Sequence, residues 1–332
     1  MNPVKLPFDQ YQRYRVIKDA IDAVRTNKGP LKILDVGGSP GTLLDFLPDD
    51  DIYIIDRVDS PAGRFIRASG ASLPFGDRAF DIVISVDVLE HISPGIREDF
   101  IKEIKRVSKS YVFIAAPFKT GAVEEAESML YDIIKAAKGE EHAFLREHLE
   151  YGLPEEAAVA KALKGGGWDA ISVPNGALKR WLPMMALSIY VTGDKFLNGL
   201  AERINTFYNT NYYSDDNREP SYRHLLAACR EGFRQETANK IKDLAAAEAA
   251  EKDLDLSLLS PLISLFGYDE LKKTHERERG EFKKVIAARD KHIKGLKETL
   301  EKRNKRLKRL DSLENSNGVK VLKSLGLTKK PQ

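Results

Sequence analysis

The feature that most constrains this 332-residue chain is a glycine-rich turn that follows a short apolar segment. Residues 31–41 read LKILDVGGSPG, and the apolar residues before the first glycine are typical of a buried parallel strand. The largely apolar residues 42–47 then predict a helix. A strand, a glycine turn and a helix make half of a nucleotide-binding unit, in which backbone N–H groups line a concave surface.

The spacing of the glycines by itself leaves the ligand open. The frame is Asp35-x-Gly37-x-Ser39-x-Gly41, whereas a dinucleotide-binding turn requires G-x-G-x-x-G. A second apolar segment ends at Asp56, 21 residues after Asp35. A carboxylate there can accept hydrogen bonds from both ribose hydroxyls of an adenosine, although an aspartate that caps a turn fits the pattern equally well.

Three later segments identify the class of ligand. They read ASLPF over residues 71–75, FDIVISVDVLEHI over 80–92 and KRVSKSYVFI over 105–114. In this order after the glycine turn, they resemble the class I S-adenosylmethionine (SAM) methyltransferases, in particular the type-11 methyltransferase domain. Ser39 replaces one glycine of that family's D-x-G-x-G-x-G motif, and the usual Pro-Gly-Gly turn before the fifth strand is missing.

The resemblance covers residues 31–117 and implies an α/β fold: a Rossmann-like seven-stranded sheet, with SAM as cofactor. In the family an aspartate at the position of Ser69 accepts a hydrogen bond from the adenine amino group. Ser69 is a poorer acceptor, so we expect backbone groups of Gly70 and Ala71 to hold the adenine instead. The cofactor-binding residues implied in this way are Asp35, Gly37, Gly38, Ser39, Gly41, Asp56, Arg57, Ser69, Gly70, Ala71, Asp87 and Val88.

The amphipathic segment over residues 8–25 predicts a helix before the first strand. In the resembled family such a helix folds over the cofactor, which makes Tyr11, Arg13, Tyr14 and Arg15 candidates for contact with the SAM carboxylate. Packing in the core explains the two tyrosines equally well.

Two histidines are the catalytic candidates. Methyl transfer to an alcohol needs a general base whose pKa is near the operating pH, which favours histidine. We predict His148 and His91 in this role, with Glu90, Glu147 and Asp87 behind them; the alternative is that His91 only orients its loop. A metal held by His142, His148 and nearby carboxylates is an alternative. No spacing is diagnostic of such a site, so no metal is predicted.

His148 lies in residues 141–154, EHAFLREHLEYGLP, where this fold keeps its substrate cap. The segment is similar to the FLxEHxxxGLP segment of methyltransferases that accompany bacterial surface-polysaccharide assembly. Residues 176–213 predict a helical insertion before the last strand, and residues 205–213 are rich in aromatic and amide side chains that suit a sugar surface. An ordinary capping subdomain is the alternative.

We therefore expect a methyltransferase domain over residues 1–235, a helical connector over 236–267, a basic coiled coil over 268–314 and a flexible basic tail over 315–332. The heptad over 282–310 predicts a weak parallel coiled coil and thus a homo-oligomer. Its a positions are Ile286, Ile293, Leu300 and Leu307; its d positions are Phe282, Arg289, Leu296, Arg303 and Leu310.

Charge and composition limit the partners and the cellular location that the chain can have. Residues 268–332 hold 20 Lys and Arg against 10 Asp and Glu, which leaves the rest of the chain with a net charge of −7 out of a total of +3. The basic end favours peripheral contact with a membrane or another anionic polymer, or it is a solvated helix face. The single cysteine, Cys229, and the lack of a long apolar run predict a cytoplasmic protein, with contact at the inner face of the membrane as an extension.

The leading functional hypothesis is O-methylation of a small-molecule sugar or a glycan in cell-envelope polysaccharide synthesis. The alternatives are methylation of a small lipid or secondary metabolite, and a coiled-coil scaffold with a degenerate cofactor site. Nucleic acid is not expected as a substrate, because the body of the chain is acidic and no Asn/Asp-Pro-Pro-Tyr run is found.

Overall fold

The computed structural model describes residues 2–26, 28–61, 63–139, 142–191, 197–245 and 268–327. Contacts divide the chain into an N-terminal unit up to residue 258 and a C-terminal unit from residue 259.

The N-terminal unit contains one seven-stranded sheet. Its strands are β1 (Lys32–Val36), β2 (Asp51–Asp56), β3 (Phe65–Arg67), β4 (Phe80–Val86), β5 (Ser108–Pro117), β6 (Asp169–Ala177) and β7 (Ser221–Cys229). The described helices of this unit are α1 (Phe8–Val24), α2 (Leu43–Phe46), α3 (Pro94–Val107), α4 (Gly121–Lys138), α5 (Ala143–Tyr151), α6 (Glu156–Leu163), α7 (Leu178–Val191), α8 (Asn198–Asn211) and α9 (Gln235–Lys242).

The order of the strands is β3-β2-β1-β4-β5-β7-β6. The first five strands of this order pair in parallel, and β7 lies antiparallel between β5 and β6. This confirms the predicted Rossmann-like seven-stranded sheet. Since β1 pairs with β2 on one side and β4 on the other, the strand order reverses at β1, and ligands of open α/β sheets bind outside the carboxyl ends of the strands at such a point.

Successive residues of β1 face opposite sides of the sheet, as the pleat requires. Ile33 packs with α1 and α2, whereas Leu34 and Val36 pack with α3 and α6. The pairing of β6 with β7 extends to Ala177.

The insertion between β6 and β7 forms α7 and α8, as predicted, and packs with α4 in a third apolar cluster. The aromatic and amide side chains of its end, however, do not form the sugar surface suggested by the sequence. Tyr208, Asn209 and Tyr212 are buried, and the Asn209 side chain donates to the carbonyl oxygens of Val4 and Leu6, both at 2.9 Å. These residues therefore fasten the start of the chain to the insertion.

The C-terminal unit contains two described helices, α10 (Tyr268–Glu314) and α11 (Asn317–Ser324), and α11 lies within the flexible tail predicted over residues 315–332. The apolar heptad residues of α10 are exposed in the single chain. The predicted connector contains α9, and its residues 246–267 lie outside the described ones. Within the described ranges, no helix is long and apolar enough to span a membrane.

Candidate active site

The glycine turn connects β1 to α2 at the point where the strand order reverses. The Gly37 N–H donates to the Ile55 carbonyl at 2.7 Å, and Gly37 has a φ of 84°. A Cβ at Gly37 would lie 2.3 Å from Cγ2 of Val88, in the loop after β4. Glycine is therefore required here both for the backbone conformation and for the close approach of the two loops.

Asp35 lies beneath this turn and is completely buried. Neither carboxylate oxygen has a hydrogen-bond partner among the described residues. Burial, reinforced by the negative charge of Asp56, raises the pKa of Asp35 to about 7. A Cβ at Gly38 would lie 2.2 Å from the carboxyl carbon of Asp35, so the turn covers this carboxylate too closely to leave room for a side chain.

Asp56 joins the turn to the loop after β2. Its carboxylate accepts the Ser39 N–H at 3.2 Å and the Val58 N–H at 3.0 Å, while the neighbouring Arg57 is exposed. The acid at the end of β2 is thus hydrogen-bonded to the glycine turn. The Asp56 side chain remains partly exposed, and each carboxylate oxygen has a second lone pair for a ligand hydroxyl.

The residues predicted to hold the adenine lie after β3. The Ala71 N–H donates to Ser69 Oγ at 3.3 Å, so one of the two expected backbone groups already has an acceptor. A Cβ at Gly70 would lie 2.3 Å from Cε2 of Phe100, which places this loop directly against α3.

Asp87 follows β4 with a φ of 51°, a conformation that aspartate adopts more readily than most residues. Its two carboxylate oxygens accept from Arg13 Nη1 and Arg223 Nε, each at 2.7 Å. Burial by itself raises the pKa of Asp87, but the charges of Arg223 and Arg13 outweigh it and lower the pKa to about 2. Asp87 is therefore an anion that anchors two arginines, not a partner of the histidines.

The first helix, α1, reaches this part of the sheet, because its Arg13 contacts Asp87. The other candidates on α1 have structural partners. Tyr11 and Tyr14 are buried against Phe46, and Arg15 pairs with Asp19 at 2.9 Å.

The two catalytic candidates lie together. Nε2 of His91 and Nε2 of His148 are 3.5 Å apart. Nδ1 of His91 lies 2.8 Å from Glu147 Oε2, and Nδ1 of His148 lies 2.8 Å from Glu127 Oε1. His148 is 7% exposed, whereas the His91 side chain is 24% exposed, so the pair is open to solvent only at His91.

Glu90 lies beside this pair, buried to 1% exposure, with Oε2 lacking a partner among the described residues. Burial, with the charge of Asp87 as the next cause, raises the pKa of Glu90 well above its usual value. Desolvation and then the neighbouring His148 lower the pKa of His91. The structure therefore brings together His91, His148, Glu90 and Glu147. Asp87 pairs with two arginines instead and acts on Glu90 and His91 through its charge.

The sequence interpretation missed Glu127, which supports His148 and also accepts from the Tyr222 hydroxyl at 2.8 Å. Glu127 lies in α4 four residues after Val123 and three before Leu130, on the apolar face of the helix. A carboxylate in that position was a usable signal, because charged residues are almost never fully buried without a partner. Arg223, by contrast, stands in a strand whose pattern carries no such signal.

The residues of the turn fit SAM. An unpartnered buried carboxylate beneath the turn favours a ligand that carries an ammonium and a sulfonium, and Asp56 faces the same turn with free lone pairs. Asp35, Asp56 and the backbone of Gly37–Gly41 would hold it, and it would supply the methyl group.

Comparison with known proteins agrees with this geometry. Residues 34–115 match the family described as "Methyltransferase domain". An uncharacterized methyltransferase of Mycolicibacterium gilvum is 36% identical over 113 residues, which cover 28% of this chain and 44% of that protein. An uncharacterized methyltransferase of Mycobacterium tuberculosis is 36% identical over 73 residues, covering 18% and 29%. The matches thus span less than half the length of these relatives.

Solved structures that resemble the chain include the YcgJ protein of Bacillus subtilis, with a TM-score of 0.39 and 14% identity over 65% of this chain and 99% of that one. Magnesium protoporphyrin IX methyltransferase of Synechocystis, solved with bound SAH, has a TM-score of 0.38 and 17% identity over 68% and 88%. The family match over residues 34–115 supports a class I, SAM-dependent methyltransferase domain in this chain.

Proposed function

We propose that this chain transfers the methyl group of SAM to a hydroxyl group, and that the acceptor is a sugar or glycan of cell-envelope polysaccharide synthesis. The observation that carries the first part is the glycine turn over the unpartnered Asp35 carboxylate, within the segment that matches the methyltransferase domain.

The histidine pair supports a hydroxyl acceptor. His91 and His148 lie in and beside the loop after β4, at the carboxyl edge of the sheet where the turn also lies. In the reaction the acceptor oxygen bonds to the methyl carbon, the carbon–sulfur bond breaks and its electron pair stays on sulfur. The hydroxyl proton must leave before or during this step, and the imidazole pair is the group there suited to promote its loss.

The sugar acceptor rests on the similarity of residues 141–154 to the segment of polysaccharide-associated methyltransferases. Within this segment α5 carries His148 and Glu147. The aromatic run at residues 205–213 does not support it, because Asn205, Tyr208, Asn209 and Tyr212 are buried.

Calorimetry with SAM tests the cofactor, using Asp56→Ala and, as matched control, Asp59→Ala at an exposed position. We expect binding that Asp56→Ala weakens and Asp59→Ala does not. The absence of SAM binding by the unaltered protein would reject the methyltransferase proposal.

SAM labelled with ¹³C in the methyl group tests the acceptor. The labelled cofactor is offered with nucleotide sugars and short glycans, and in parallel with lipids and phenolic metabolites. A labelled methyl ether on a sugar supports the proposal. Label on a lipid or metabolite alone would leave a methyltransferase but contradict the sugar acceptor.

We also propose that α10 forms a coiled coil with a second copy of the chain, since its heptad of apolar residues is exposed in the single chain. The excess of Lys and Arg in residues 268–332 supports contact of this unit with an anionic membrane surface or polymer.

A further inference from the structure

The contact between His91 and His148 limits which ring nitrogens of the two imidazoles can carry a hydrogen. An ionised carboxylate only accepts hydrogen bonds, so each Nδ1 that faces Glu147 or Glu127 carries the hydrogen. In a neutral imidazole the other nitrogen then has a bare lone pair. The two Nε2 atoms would therefore point lone pairs at each other across 3.5 Å, which needs a positive charge between them.

A metal ion meets this need with suitable geometry. Two nitrogens bound at about 2.0–2.1 Å to one tetrahedral zinc ion lie about 3.3–3.4 Å apart, close to the separation of the two Nε2 atoms. An oxygen of Glu90 completes a group of three, whose donor atoms all lie within 4.8 Å of one another. Among the described residues this is the one such group.

The surroundings of the group are those of a metal centre. Metal-bound histidines commonly donate the other ring N–H to a carboxylate, and Nδ1 of each histidine lies 2.8 Å from a carboxylate oxygen here. The Tyr222 hydroxyl fixes Glu127 in turn. Arg97 holds the two ligand-bearing segments together, because it donates to the Leu89 carbonyl at 3.1 Å and to the Gly152 carbonyl at 2.5 Å.

We propose that Glu90, His91 and His148 bind a divalent transition metal, with zinc the best match to two imidazoles and one carboxylate. Three protein ligands leave one position open, as in catalytic zinc sites. The partly exposed face of His91 gives access to that position.

The role of the metal, unlike its binding, rests on the proposed function. The hydroxyl of the acceptor takes the open position, and the metal lowers the pKa of that hydroxyl, so that its proton passes to solvent at neutral pH. The resulting oxygen anion bonds to the methyl carbon of SAM, and the electron pair of the broken carbon–sulfur bond stays on sulfur. The histidines thus activate the acceptor as ligands, without themselves taking its proton.

The test is a zinc titration of the untagged full chain after dialysis against EDTA, with a chromophoric chelator as competitor and with neither SAM nor acceptor present. We expect one zinc ion per chain. His148→Asn and Glu90→Gln should lower the affinity at least 100-fold, and Glu147→Gln, which removes only a supporting carboxylate, about tenfold. His292→Asn, at an exposed histidine of α10, is the control and should change nothing.

Cobalt substitution of the unaltered protein gives a readout that does not depend on the folding of a variant. Strong visible absorption of tetrahedral Co²⁺, abolished by added zinc, supports the site. Zinc binding that is absent, or equally strong in His148→Asn and Glu90→Gln, would overturn it and leave a proton shared between the two imidazoles. The zinc titration contains neither SAM nor acceptor. A failure to bind zinc would therefore be distinguishable from a failure of methyl transfer.

Discussion

Asp35 and Gly38 are so close that a single added carbon at Gly38 would lie 2.2 Å from the carboxyl carbon and 2.3 and 2.7 Å from the two oxygens of Asp35. Gly38 does not have a positive φ, so what it requires is space and not a special backbone conformation. The glycine thus lets the turn lie directly over a buried carboxylate.

Gly38→Ala should therefore damage the turn by steric conflict alone. Asp35 is completely buried and cannot move aside, so the backbone of the turn must shift. We expect the dissociation constant for SAM, measured by calorimetry, to rise at least tenfold. Gly76→Ala, where nothing lies within 4 Å of the new carbon, is the matched control. Equal affinities in the two variants would contradict this account of the turn.

Asp35→Asn should flatten the pH dependence of stability between about pH 4 and 7. The pKa of Asp35 is raised from 3.8 to about 7, so in this range the folded state holds a proton that the unfolded state has lost. The free energy of unfolding of the SAM-free protein therefore falls by up to about 4 kcal/mol as pH rises through this range. Above pH 7 it levels off. Asp56, Arg13 and Tyr14 also face this group and remain in both proteins.

The measurement is urea unfolding of both proteins from pH 4 to 8. The free energy of unfolding should fall more steeply with pH in the unaltered protein than in Asp35→Asn. Identical slopes would mean that Asp35 is ionised throughout.

Asp87→Asn should destabilise the fold strongly. Asparagine tolerates the φ of 51° and keeps the shape of the side chain, but it leaves Arg13 and Arg223 without their shared anion. Removing one partner of a buried ion pair costs about 3–5 kcal/mol. Asp59→Asn, whose partner Arg67 is exposed, should cost less than about 1 kcal/mol in the same denaturation experiment.

His224→Asn should lower stability in acid and neutral solution and have less effect at high pH. Burial lowers the pKa of His224, but hydrogen bonds and charges from Glu156 and Glu219 outweigh it and raise the pKa to about 9. The stabilisation is therefore complete below pH 6.5 and is lost as pH rises through 9. The measurement is the melting temperature of both proteins at pH 6 and pH 9.5. If His224→Asn lowered the melting temperature equally at the two pH values, the imidazolium would contribute nothing.

Arg289→Leu with Arg303→Leu should strengthen the proposed coiled coil. These arginines occupy d positions, where leucine favours two-stranded association. We expect analytical ultracentrifugation to show tighter self-association than in the unaltered chain. Ile293→Asn with Leu300→Asn should give a monomer; association unchanged in both variants would exclude this helix as the interface.

Much of the fold could be predicted from local pattern, because the cause of each element lies within a few residues. The apolar run before Asp35, the glycines after it and the acid that ends β2 determined by themselves that a nucleotide-type turn forms there. The same holds for α1, Phe8–Val24, which lies within the helix predicted over residues 8–25.

What only the tertiary structure decided is which side chains share a neighbourhood. Glu127 and His148 are 21 residues apart in sequence and 2.8 Å apart in space, and Asp87 meets Arg223 from 136 residues away. The run at residues 205–213 has the composition of a sugar surface, but Tyr208, Asn209 and Tyr212 are buried and the Asn209 side chain donates to the start of the chain. Hydrophobicity patterns report whether a residue is buried, whereas the partner of a buried polar group depends on how distant elements pack, and that packing is set by the whole core.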